Sequence, residues 1–172
     1  LGGNNTYGGT VLVRNGTLDI YGTVSAAQYL SVGPNFAPAK MIVRGSGALT
    51  TLSDLNIGDT GDASTASTGT LELRDNATVT VAATGGFFVG SGFFANTRAT
   101  GTVNQTGGTL TSNGNFDGAF VVGGRNSTLP TGAYNLIGGA VNANTNVQIG
   151  GHGVGTMTQT GGVFNAAGFV SI

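Results

Sequence analysis

The amino-acid sequence predicts an all-β fold, a right-handed parallel β-helix with three strands per rung and about six rungs. Three observations carry that expectation. Short alternating runs separated by glycines return in the same order at intervals of roughly 30 residues. The apolar residues of the copies align when the copies are stacked, and the residues between them are Thr, Asn, Arg, Glu and Asp.

The unit is clearest over residues 101–124, GTVNQTGGTLTSNGNFDGAFVVGG. Thr-Val-Asn-Gln-Thr and Thr-Leu-Thr flank Gly107–Gly108, and Phe-Val-Val closes on Gly123–Gly124, which reads as strand, turn, strand, turn, strand. Copies begin at Thr10, Lys40, Thr70, Thr102, Ala133 and Thr156. The first column is then Val11, Met41, Leu71, Val103, Tyr134 and Met157, and the second Val13, Val43, Leu73, Gln105, Leu136 and Gln159. After the turn, Leu18, Leu49, Val79, Leu110, Val141 and Phe164 align. The third strand gives Leu30, Leu55, Phe87, Phe120, Val147 and Val170, followed by Val32, Ile57, Val89, Val122, Ile149 and Ile172.

Alternate side chains of a strand face opposite ways, so these columns point inward and their neighbours face water. Each copy is one turn of a coil, stacked at about 4.8 Å over a height of roughly 25 Å. The right hand follows from the strong bias of parallel crossovers. Asn15–Gly16, Gly107–Gly108, Gly138–Gly139 and Gly161–Gly162 are assigned to one corner, where positive φ suits Gly or Asn. Glycines 33, 58, 90, 123 and 150 end the third strand, and copy length varies just after them. The variable segments 34–39, 59–67, 91–99, 124–130 and 151–154 should therefore leave one corner as a row of loops.

Charged residues make up 8% of the 172 residues and the net charge is −1, which leaves no electrostatic footprint for nucleic acid or an anionic membrane. The chain has no cysteine, so disulfides and thiolate metal sites are excluded. No apolar run approaches the roughly 20 residues of a membrane-spanning helix, and no tripartite leader opens the sequence. Residues 1–172 read as a single solenoid segment. Leu1-Gly2-Gly3 copies Ile149-Gly150-Gly151, so Leu1 reads as the close of a third strand. The expectation is a piece of a longer solenoid, or a subunit that stacks end to end.

Candidate sites are few. Arg14, Arg44 and Arg74 are assigned to one outward column with Asp19, Glu72 and Asp75 nearby, and a ladder of this kind can either hold an acidic polysaccharide or stand solvated among its counter-charges. Asp59 and Asp62 in GDTGDAS are two oxygen donors at calcium-like spacing, but no EF-hand or RTX nonapeptide surrounds them, so a surface loop is expected and no metal site is assigned. His152 has no triad or zinc partners and reads as an exposed loop residue. Gln105 and Gln159 fall in an inward column, where their amides should bond to rung carbonyls or to each other.

Phe88, Phe93 and Phe94 belong to FFVGSGFFAN; Phe88 points outward by alternation, and the group either folds over the coil or forms a patch for a partner. Outward Thr78/Thr80 and Thr109/Thr111 give a Thr-x-Thr spacing of the kind flat β-helices use against ice.

GTVNQTGGTLT, echoed by GTMTQTGGVFN and GAYNLIGGAVN, resembles the passenger repeats of autotransporter-type bacterial surface proteins and related Gly/Thr/Asn-rich exported solenoids. The resemblance implies a secreted or surface-displayed scaffold, a stalk or adhesin. The sequence expectation is thus an extracellular, fibre-forming or surface-displayed structural protein without catalytic residues or cofactors. Its partners would be copies of itself or other surface proteins and glycans, with no nucleic acid and no membrane insertion in this segment. The alternatives are a polysaccharide-binding or polysaccharide-cleaving β-helix using the arginines, and ice binding through the threonines.

Overall fold

The computed structural model describes residues 1–34, 38–60, 66–92, 98–115 and 119–172. Three parallel sheets form the three walls of a coil, two of seven strands and one of six. The first sheet stacks Asn4–Tyr7, Thr23–Ala26, Ala48–Thr51, Thr78–Val81, Thr109–Ser112, Ala140–Ala143 and Val163–Ala166. The second stacks Val11–Val13, Leu30–Val32, Leu55–Thr60, Phe87–Gly92, Phe120–Val122, Val147–Ile149 and Val170–Ser171. The third runs from Gly16–Ile20 through Ala39–Val43, Ala66–Leu73, Arg98–Gln105 and Thr131–Leu136 to Val154–Gln159. The chain visits the sheets in this order on every turn, which is a three-strand-per-rung parallel β-helix.

Register makes like residues stack. Met41 pairs with Leu71, Leu71 with Val103, Val103 with Tyr134 and Tyr134 with Met157 along the third sheet. Val24, Leu49, Val79, Leu110, Val141 and Phe164 form the inward column of the first. Between the terminal rungs the aliphatic members are almost wholly buried, each such side chain being worth about 1.5–3 kcal/mol. At mid-height the filling turns aromatic. Phe87 and Phe120 lie 5.1 Å apart, and Tyr134 meets Phe87 edge-on at 6.2 Å.

The first rung departs from the expected phase. Leu18, not Val11, pairs with Met41, and Ile20, not Val13, pairs with Val43. Val11 and Val13 belong to the second sheet, opposite Leu30 and Val32, while Val24 takes the first-sheet position expected for Leu18. The corner from second to third sheet is here only Arg14–Asn15, so the rung is short, and two apolar-x-apolar runs offer the same pattern to different walls. Asn15–Gly16 therefore lies at that corner and not with Gly107–Gly108. Leu1 is corrected likewise. Its carbonyl accepts from Tyr21 N at 3.0 Å and Gly22 N at 3.1 Å, which aligns it with Ile20 at the end of the third sheet.

The corner between second and third sheets carries the variable segments, as expected, and its described loops stack on one another. Asn126 N donates to Gly92 O, His152 N to Gly124 O and Gly153 N to Gly123 O. Two strand pairs run past this corner: Asp59 and Thr60 pair with Ser91 and Gly92, and Ala66–Thr68 with Arg98–Thr100. Their neck is closed by facing glycines. A Cβ on Gly101 would stand 2.2 Å from Ile57 O and 2.3 Å from Gly90 N, so only a bare backbone fits.

Candidate functional site

Arg44 and Arg74 do share an outward column. Their amides donate to Ile20 O and Val43 O, and the same ladder places Tyr21 below them and Thr106 above. Arg14 is not part of it; Gly33 N donates to Val13 O, which aligns Arg14 with Gly33 at a different corner. The predicted three-arginine ladder is thus two arginines long.

Both guanidinium groups are engaged. Arg44 makes a two-pronged contact with Asp19, Nε to Oδ1 at 2.9 Å and Nη2 to Oδ2 at 2.8 Å, and its guanidinium lies 5.6 Å from the Tyr21 ring centre. Arg74 bonds Glu72, which also accepts from Lys40 Nζ at 2.8 Å. Asp19 is held below the usual carboxylate range by its hydrogen bond to Arg44, and Glu72 below it chiefly by its bond to Lys40. Four of these charges neutralise each other pairwise, and a polyanion arriving here would have to displace internal carboxylates.

Phe88 points away from the coil, as alternation requires, yet only 1% of it is exposed. Arg125, from the segment between Val122 and Thr131, lays its guanidinium 4.3 Å from the Phe88 ring centre and bonds Asp54 Oδ2 at 2.8 Å. The outer face of the second sheet is covered here, so Phe88 offers nothing to a partner. Phe93 and Phe94 lie outside the described residues.

Asp59 is not a plain loop residue. It is the last residue but one of a second-sheet strand, in register with Ser91 and beyond Gly58, where φ is +68°. Its half-buried carboxylate accepts from Ser31 Oγ at 3.0 Å and from the Ser91 side chain. Burial pushes the Asp59 carboxyl above the usual range and Asp54 adds to this, while the two serine bonds and Arg125 pull it back. Ser31 and Asn56 are register partners on the same outer face. Asn56 is 6% exposed, and its Oδ1 has no hydrogen-bond partner; among the described residues the only other such oxygens are Thr60 Oγ1 and Ser67 Oγ, both in the neck of the same loop. Asp62 lies outside the described residues.

The sequence reading missed Arg125, Asp54, Asn56 and the two serines. The outward column Ser31, Asn56, Phe88, Val121 was available from the stacking, but the loop that buries it was not. Gln105 is buried as expected, whereas Gln159, on the last rung, is exposed. Gln105 and Gln159 occupy one column, and each amide caps its own corner, Nε2 donating to Gly108 O at 3.2 Å and to Gly162 O at 3.1 Å. His152 is exposed in its short loop. Thr78 and Thr80 pair in register with Thr109 and Thr111 on the outside of the first sheet.

No group of three His, Cys, Asp or Glu among the described residues is placed to hold a metal ion, and no described helix is long and apolar enough to cross a membrane. Comparison with family models, curated proteins and solved structures returns no match. What defines the chain is its coil: it is a parallel β-solenoid repeat protein.

Proposed function

We propose that this chain is an extracellular structural solenoid, a non-catalytic stalk or adhesive scaffold displayed on or secreted from a bacterial cell. The observation that carries the reading is the outer surface of the coil. The first sheet presents Thr23, Ser25, Thr50, Thr78, Thr80, Thr109, Thr111 and Asn142, a neutral polar wall without a charged residue. On the third sheet Arg44 is paired with Asp19, and Lys40 and Arg74 share Glu72. A continuous hydrogen-bonded ladder stacked on a filled core resists bending and proteolysis, which suits a spacer. Stacking along the coil axis or side by side with copies of itself is the partner chemistry that such a wall and such a ladder favour.

The polysaccharide alternative loses support from the internal pairing of Arg44 and Arg74 and from the removal of Arg14 from their column. The test of the proposal is location. Antibodies against this chain should label intact, unpermeabilised cells of the source organism and should be shaved off by external protease. Labelling that appears only after lysis contradicts it.

A further inference from the structure

We propose that the outer face of the second sheet binds a hard, oxygen-seeking cation of the calcium class between the Asp59 carboxylate and the Asn56 amide oxygen. The placement comes from register. Ser31 and Asn56 stand on adjacent rungs of one outward column, and the hydroxyl of Ser31 holds Asp59 from below while Ser91 pairs with Asp59 from the next rung above. Asn56 and Asp59 thus flank the same serine.

Two independent features call for a positive ligand there. Asn56 is almost wholly buried and its Oδ1 lacks a donor, a condition that is destabilising when nothing meets it. The local charge among the described residues does not balance either. There Asp54 and Asp59 face one cation, Arg125, whose guanidinium is bonded to Asp54 and laid over Phe88. One negative charge is left over in a half-buried place, where a countercharge is worth more than at the surface.

The donor set is carboxylate, amide and hydroxyl oxygen, which suits calcium and gives thiolate- or imidazole-seeking metals nothing to hold. Ser31 and Ser91 can turn their hydrogens away and offer lone pairs. Water fills the remaining positions, since calcium takes six to eight oxygens. With one formal charge in direct contact, affinity belongs in the weak class of extracellular calcium modules, about 10⁻⁴–10⁻³ M.

The test is thermal unfolding of the chain in chelator and in about 10 mM calcium chloride, with magnesium chloride at the same ionic strength as comparison. The wild type should melt about 5 °C higher once calcium is roughly 100-fold above its dissociation constant, and magnesium should do less. Asp59→Asn and Asn56→Leu should each abolish the rise. Calorimetric titration of the wild type should give one calcium per chain, which keeps the test decisive should a variant fail to fold. A wild-type melting point and calorimetric trace indifferent to calcium overturn the proposal, as does a calcium-dependent rise retained by either variant.

Discussion

Tyr134 Oη donates to Gln105 Oε1 at 2.5 Å inside the coil, between two side chains that are both fully buried. Gln105 Nε2 in turn donates to Ala140 O at 2.9 Å and to Gly108 O at 3.2 Å, so the pair ties a rung to the next corner above it. A polar group in an apolar stack is tolerated only when every atom is met, and here the phenol supplies what the amide oxygen lacks.

Tyr134→Phe should therefore cost about 1–3 kcal/mol, because it strands Gln105 Oε1 in the core. Adding Gln105→Leu should recover most of the loss, since Leu73 and Leu136 fill the same column on the adjoining rungs. Urea unfolding of the single and double variants measures both effects. A double variant no more stable than Tyr134→Phe would show that the column cannot take a third leucine.

Burial also pushes the Tyr134 phenol far above its ordinary range. The unfolded chain gives up this proton near pH 10 and the folded chain holds it, so the folded state binds more protons above that pH. Stability present below about pH 10 should fall as pH rises beyond it. Tyr134→Phe should flatten this alkaline limb in urea titrations at successive pH values.

At low pH the carboxylates act in opposite senses. Asp19 and Glu72 are held low by Arg44 and Lys40, so their contribution is present above the ordinary carboxylate range and is lost as pH falls through their folded values. Asp59 is held high, so its protonation favours the fold, and its contribution is lost as pH rises through its folded value. Glu72→Gln should make the fold less sensitive to acid, and Asp59→Asn should improve stability near neutral pH in chelator. Unfolding midpoints at pH 3.5 and pH 7, the former about at the carboxylate range, compare them.

Gly101→Ala should be among the most disruptive small substitutions, costing more than about 3 kcal/mol, because its Cβ meets backbone of two neighbouring strands. Gly8→Ala, whose Cβ meets nothing within 4 Å, is the control and should be nearly neutral. Yield and thermal midpoint distinguish them.

The coil itself was legible because hydrophobic columns survive changes in loop length. Met41, Leu71, Val103 and Tyr134 align however many residues separate them, and Gly107–Gly108, Gly138–Gly139 and Gly161–Gly162 punctuate the same corner. The first rung was not legible, since Val11-Leu12-Val13 and Leu18-Asp19-Ile20 carry the same alternation and nothing in a period of two says which wall a strand belongs to. Arg14 went astray with that rung. Alternation turns Phe88 outward, but its burial depends on Arg125 from the loop one rung later, a contact that alternation cannot express. Asp59 reads as loop because the glycines at 33, 123 and 150 follow the end of the strand, whereas pairing resumes beyond Gly58 and Gly90.

The most direct test of the stacking is disulfide trapping in this cysteine-free chain. Strands one rung apart bring register partners within the roughly 4.4–6.8 Å Cα separation that a disulfide needs. Thr80→Cys with Thr111→Cys, and Thr17→Cys with Lys40→Cys, should oxidise readily in the folded protein. Thr10→Cys with Lys40→Cys, the pairing that an even 30-residue phase would give, should stay reduced. Efficient trapping of Thr10 with Lys40, or failure of Thr80 with Thr111, would contradict the coil as described.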